Sequence, residues 1–111
     1  VSLASSAEDD IEIEDEVLPE DFELAQNYPN PFNAETKISF SLSEPGQVSL
    51  EVYNVIGQKV KTLTSDTYEP GNYEIHWDGL SESGHPAASG LYFYRLETIE
   101  GAICKKMLLM K

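Results

Sequence analysis

From residue 36 onward the chain alternates apolar and polar positions with a period of two. "TKISFSL" sets Ile38, Phe40 and Leu42 against Lys37, Ser39 and Ser41, the pattern of a half-buried strand. "EPG" at 44–46 then turns the chain, because proline fixes φ and glycine permits positive values. "QVSLEVYN" alternates again, with Val48, Leu50 and Val52 on one side and Ser49, Glu51 and Tyr53 on the other. A turn through Gly57 leads into a short strand predicted over residues 59–63, and residues 64–72, with a second Glu-Pro-Gly, read as a loop. "NYEIHW" places Tyr73, Ile75 and Trp77 on one face. A glycine-rich irregular stretch follows. Then "LYFYRLET" opposes Tyr92, Tyr94 and Leu96 to Leu91, Phe93 and Arg95, and "AICKKMLLMK" supplies a last strand. A further extended strand is expected over residues 22–28.

No window carries apolar residues at i, i+3, i+4 and i+7 over two turns, so no helix is predicted. About seven short strands with turns every 8–12 residues imply an all-β fold, an immunoglobulin-like antiparallel β-sandwich. Trp77 with Tyr92 and Tyr94 downstream echoes the central tryptophan and tyrosine corner of such sandwiches. The single cysteine, Cys104, cannot supply their internal disulfide, so aromatic side chains must fill the middle.

"AQNYPNPFNAET" at 25–36 fits neither period. Pro29 and Pro31 fix their own φ and drive Tyr28 and Asn30 towards extended backbone, giving a stiff non-helical strap. Tyr28 and Phe32 are expected to plug one end of the sandwich. Asn27, Asn30 and Asn33 are expected to bond backbone groups that the prolines leave unmatched.

Charge separates the chain into two parts. Ten of its 20 acids and none of its bases lie in residues 1–23, so this end carries −10 of the formal net charge of −13. Residues 1–21 are therefore expected to be a solvated acidic linker, and residues 22–111 the folded domain. The linker lacks the glycine and closing glutamate of a calcium loop. With one arginine, Arg95, and no lysine cluster outside the last strand, the chain offers no footprint for nucleic acid. No apolar run approaches the roughly 20 residues that span a bilayer, so no membrane insertion is expected. The chain opens at Val1 without a signal-peptide pattern and is read as a fragment or a processed piece.

Candidate chemistry is sparse. His76 lies on the outward face of its strand and His85 in a Gly-His-Pro turn, neither at metal-ligand spacing from a cysteine or aspartate. Asp66, Asp78 and Glu82 would need a cleft to act as a catalytic pair, and Asp78 before Gly79 reads as a turn residue. Nothing near Cys104 in sequence would activate its thiolate. No enzyme is expected, and neither cofactor nor metal. Tyr53, Tyr68, Tyr73 and Phe93 leave open a carbohydrate-binding or adhesion module attached to a secreted enzyme, although strands use such rings for packing.

At the end of the chain Met107, Leu108, Leu109 and Met110 run together where a one-sided strand would alternate. Either this strand is buried on both faces, or it is an edge strand with one apolar side against a loop. A third reading is an accessible strand that a receptor grips. Lys105, Lys106 and Lys111 would keep it soluble and meet an acidic partner.

"NYPNPFN", "TKISFSL", "VSLEVYNVIGQKVKTL", "EPGNYEIHWDGLSESGHPAASGLYFYRLET" and "KKMLLMK" follow one another in order. Together they resemble the type A C-terminal sorting domain of type IX (Por) secretion substrates. More distantly they resemble the immunoglobulin-like domain of flagellar hook-capping proteins. The resemblance covers residues 22–111 and rests on Asn27, Tyr28, Pro29, Asn30, Pro31, Phe32, Asn33, Gly57, Trp77, Gly90, Tyr92, Tyr94 and the terminal strand. The last strand here carries Met and Leu where the family often has Val or Ile. The resemblance implies a non-catalytic module fused behind an exported cargo of a Gram-negative bacterium. Its partners would be the outer-membrane secretion machinery and a sorting protease that cuts in the acidic segment. The route would be the periplasm, then the cell surface or medium. Lys105, Lys106, Met107, Leu108, Leu109, Met110 and Lys111 would form the recognised strand.

Overall fold

A computed structural model describes residues 22–111, and the acidic linker expected over residues 1–21 lies outside these described residues. Seven strands form: β1 (Glu23–Leu24), β2 (Thr36–Leu42), β3 (Gly46–Tyr53), β4 (Lys59–Tyr68), β5 (Gly71–Trp77), β6 (Gly90–Thr98) and β7 (Gly101–Leu109). They make two antiparallel sheets, ordered β1-β2-β5 and β4-β3-β6-β7. The all-β, immunoglobulin-like sandwich expected from the alternation is the fold found.

The alternating positions become the two inner faces. Leu24, Ile38, Phe40, Leu42 and Trp77 from one sheet meet Val48, Leu50, Val52, Tyr92, Tyr94, Leu96, Met107 and Leu109 from the other. Aromatic rings occupy the place of the missing disulfide. Trp77 packs between Phe32 and Tyr92, each ring centroid 5.7 Å away. Towards the other end of β5, Phe40, Tyr68 and Tyr73 form a second cluster, Tyr68 and Tyr73 meeting edge to face at 4.8 Å. The tyrosine-corner expectation is met by Tyr92, whose hydroxyl donates to the Ala88 carbonyl four residues upstream at 2.7 Å.

Three expectations are corrected. β4 runs on to Tyr68, through residues read as a loop. It is a sheet edge, so its second half needs no apolar period, and the polar run Thr64–Thr67 pairs with β3 in register, Thr67 Oγ1 also donating to Gln47 Oε1 at 3.4 Å. β1 is two residues long and does not span 22–28. After Ala25, whose N–H still reaches the Ser39 carbonyl at 2.9 Å, the regular pairing lapses and returns only as a single bridge at Tyr28. Finally, Phe32 is buried as a plug but Tyr28 is not: 73% of it is exposed. Tyr28 bridges Lys37 by backbone bonds in both directions at 2.9 Å. Directly paired residues share a face, so Tyr28 lies outside with Lys37, and its neighbour Asn27 points in.

The strap, residues 25–35, crosses from one sheet to the other, and the peptide bonds before Pro29 and Pro31 are cis. Its inward anchor is the Tyr94 hydroxyl, which is fully buried. This oxygen donates to the Ala25 carbonyl and accepts the Asn27 N–H, both at 2.8 Å. Burial pushes the Tyr94 phenol up to about 12.

Two outcomes are expected. Tyr94→Phe leaves two backbone groups without their partner, costing about 1–3 kcal/mol. Each kcal/mol lowers Tm by roughly 4–8 °C in a domain of this size, so thermal melts should show a loss of at least several degrees. The stabilising effect of the protonated phenol is complete below about pH 10, its unfolded value. It is lost as pH rises through about 12. Alkaline denaturation of the wild type between those limits should therefore be steeper than that of Tyr94→Phe.

Candidate functional site

The terminal strand and the strap form one unit. The pairing of β7 with β6 is continuous from Thr98↔Gly101 to Gly90↔Leu109. Among the described residues β7 has no strand on its other side. Along the second half of that edge the strap takes up the backbone. Phe32 N–H reaches the Leu108 carbonyl at 2.9 Å, and Met110 N–H returns to the Phe32 carbonyl at 2.8 Å. The Leu108 N–H donates to Asn30 Oδ1 at 3.0 Å. Asn33 Nδ2 donates to the Met110 carbonyl at 3.1 Å, and Gln26 Nε2 to the Lys106 carbonyl at 2.6 Å. The third asparagine serves the strap itself: Asn27 is buried, and its Nδ2 donates to the Pro29 carbonyl and to Thr36 Oγ1.

The run of four apolar residues therefore resolves into alternation. Met107 and Leu109 are core, whereas Leu108 and Met110 face outward. Burial on both faces is thus excluded: the second half of the strand is an edge closed by a loop, with Leu108 and Met110 exposed on its outward side. A strand added over residues 108–110 would have to displace the strap, which already bonds the Leu108 and Met110 groups. What stays presented there is side chains.

Register sets out this outer face in rows. Leu108 lies opposite Leu91. Lys106 lies opposite Phe93, and Phe93 opposite Tyr53. Next come Cys104, Arg95 and Glu51, then Ala102, Glu97 and Ser49. The face thus grades from apolar at the Leu108 end to polar at the Ala102 end. At the apolar end the β3–β4 hairpin tip also exposes Val55 and Ile56. Gly57 shapes that tip, with φ +87° in the left-handed region, and the Asn54 carboxamide oxygen accepts from both Ile56 and Gln58. Further along the face the Tyr53 hydroxyl donates to Glu51 at 2.5 Å, holding that carboxyl below its usual range and raising the phenol.

The predicted residues divide accordingly. Lys106, Leu108, Met110 and Lys111 are exposed, and Lys105 is half-buried on the inward side. Met107, Leu109, Phe32, Trp77, Tyr92 and Tyr94 are core. Gly90 opens β6, and Pro29, Asn30, Pro31 and Asn33 lie on the exposed strap. Sequence reasoning missed Leu91 and Gln26. Leu91 stands in an outward position of its own alternating strand, and an apolar residue there was a signal. Gln26 carried none.

Other candidates are locally occupied. Asp66 accepts from Thr67 N–H, Asp78 from Leu80 N–H and Glu82 from Thr62 N–H. His76 meets Glu35 at 3.1 Å, and His85 meets Ser83 at 2.9 Å. Among the described residues no three His, Cys, Asp or Glu side chains gather as a metal site. Of the four rings considered for sugar stacking, Tyr68 and Tyr73 turn into the Phe40 cluster.

Asn30→Ala removes the acceptor of the Leu108 N–H without touching the core. Amide exchange at Leu108 should accelerate by about tenfold, the effect of one lost hydrogen bond of about 1.4 kcal/mol, and core amides such as Leu96 should be unchanged.

The family model described as the FlgD Ig-like domain matches residues 26–101, well over half of the chain, and ends where β7 begins. No curated protein matches the sequence. Among solved structures, the fold is similar to dimeric latent PorU from Porphyromonas gingivalis, with TM-score 0.66 and 22% identity over 88% of this chain and 10% of that one. It is also similar to FlgD from P. aeruginosa, with TM-score 0.53 and 22% identity over 71% of this chain and 67% of that one. A third is PorZ of P. gingivalis, an essential bacterial surface component of the type IX secretion system, with TM-score 0.51 and 18% identity over 78% and 11%. The chain spans about a tenth of the length of PorU and PorZ.

Proposed function

The chain belongs to the FlgD Ig-like domain family, and from that premise we propose that it is a non-catalytic sorting module carrying a fused cargo through the type IX secretion machinery. The observation that carries this reading is the terminal strand. Its backbone is bonded by β6 as far as Leu109 and by the strap at Lys106, Leu108 and Met110, yet it holds Lys106, Leu108 and Met110 outward beside Leu91. A strand so fixed presents a rigid apolar and basic side-chain patch at little entropic cost, which is what recognition of a folded label requires. Methionine and leucine at its centre suit an adaptable apolar contact, and the lysine steers an acidic receptor surface. The motif order in the sequence and the likeness of fold to PorU and PorZ support the same reading. The module makes and breaks no bond. A protease acting on the acidic segment upstream would separate it from the cargo at the cell surface.

The test is a reporter fused ahead of the full chain behind a signal peptide, in a bacterium with the type IX machinery. Leu108→Asp and Lys106→Glu change exposed positions, so the melting temperature should stay within a few degrees. Each should lower the surface-delivered reporter at least tenfold, with the protein retained in the periplasm. Wild-type delivery by both variants would show that this patch is not what the machinery reads.

A further inference from the structure

Among the described residues the sandwich is unequal, with three strands facing four. The missing place is beside β5. We infer that the open edge of β5 is a strand-addition site for an extended segment of another protein that carries Lys or Arg at its outward positions.

Backbone direction follows from the bonds on the other side of β2. Ser39 and Lys37 direct their backbone groups to Ala25 and Tyr28. Groups alternate sides along a strand, so Ile38 and Phe40 serve β5. Their partners there are Ile75 and Tyr73, which leaves the N–H and C=O groups of Asn72, Glu74 and His76 pointing away from the sheet. The other edges of the described residues are shorter or partly covered. β1 has two residues. β4 is broken by two register shifts, and the 80–84 loop takes its backbone: Glu82 N–H bonds the Val60 carbonyl, and Thr62 N–H bonds the Glu82 carboxylate. β7 is strapped over its second half and carries Lys105 and Lys106 beside what remains. β5 instead pairs with β2 through seven consecutive residues without a shift, and contains neither proline nor lysine. An edge this long and regular is the kind that proteins otherwise protect.

Packing agrees. β4 has no fully buried residue, and its Val60, Leu63 and Tyr68 are half-covered, as are Ile75 and Tyr73 of β5. A strand added beside β5 would lie over β4 and complete a four-on-four sandwich. Apolar residues at its inward positions would cover Leu63 and Ile75.

Charge selects the outward positions. The outer face next to β5 carries Glu23, Glu35 and Glu74 against Lys37, which pairs with Glu74 at 3.2 Å, and His76, which meets Glu35 at 3.1 Å, so Glu23 is the acid of this group without an ion-pair partner among the described residues. Glu23, Ala25, Ser39, Ser41, Asn72 and Glu74 line an open trough of about 560 Å³ on that face. Its floor is low because Ala25, Ser39 and Ser41 are short. A long basic side chain reaching across β5 enters this trough and meets Glu23 and Glu74. A strand with acids in those positions meets like charge.

The experiment uses the full chain and a capped nonapeptide of alternating Lys and Val as probe, with the Glu and Val analogue as control. Hydrogen exchange is followed residue by residue, which separates β5 from any attraction to the acidic segment. The Lys peptide should slow exchange at Asn72, Glu74 and His76 at least tenfold, and the Glu peptide should not. Glu74→Pro removes an N–H that makes no bond within the sheet, and prolines are tolerated on edges. It should abolish protection at Asn72 and His76 while the melt followed by Trp77 fluorescence stays within a few degrees. Should that variant unfold, a Lys peptide N-methylated at alternate residues supplies the same test on the wild type and should give no protection. Equal protection by both charged peptides, protection at Ala102 and Cys104 in place of β5, or protection that appears without peptide as protein concentration rises would each overturn the proposal.

Discussion

One buried oxygen organises this domain. The Tyr94 hydroxyl sits inside the sandwich and bonds two backbone groups of a segment that belongs to neither sheet. Around that point the strap is built outward. Asn27 turns inward and Thr36 bonds the Pro29 carbonyl, while Phe32 enters the core against Trp77. An aromatic with a polar end is suited to this place, because its ring fills volume that a disulfide would otherwise occupy and its hydroxyl satisfies groups that water cannot reach.

What the strap accomplishes is closure of one flank. An antiparallel sandwich has edges wherever a strand lacks a neighbour, and an unpaired edge invites association. Here the flank between β1 and β7 is closed by one irregular segment using two backbone bonds and three amide side chains along β7. The flank between β4 and β5 is closed only at its ends, by the Tyr68–Tyr73 contact and by Glu82 on β4. The domain is therefore asymmetric, with a sealed side that shows side chains and an open side that shows backbone.

Much of this was legible in the sequence, and what was not has a physical reason. Period-two alternation identified the inner faces because burial on one side of a pleated strand leaves no other pattern: Ile38, Phe40, Val48, Leu50, Tyr94 and Leu96 all lie where it places them. The second half of β4 escapes this rule because Ser65, Asp66 and Thr67 are polar and exposed, and periodicity does not register residues that pair without burial. Tyr28 was misplaced because aromaticity argued for the core, whereas its backbone pairing with Lys37, a contact invisible in local sequence, decides its face. The terminal strand was read as ambiguous because Leu108 and Met110 are apolar on an outward side. Side-chain type alone cannot tell a doubly buried strand from an exposed apolar patch. The strap bonds to β7 connect residues more than 70 positions apart, beyond the reach of any local rule.

The parallel bridge between Phe32 and Leu109 also fixes how the domain would carry a mechanical load. The strap and β7 run in the same direction, so a pull backward at Phe22 and forward at Met110 drags them past each other. Gln26, Asn30, Phe32 and Asn33 hold β7 at successive points along that line. Under such tension the bonds are strained in shear and share the force, where an antiparallel edge pulled from one end would peel bond by bond.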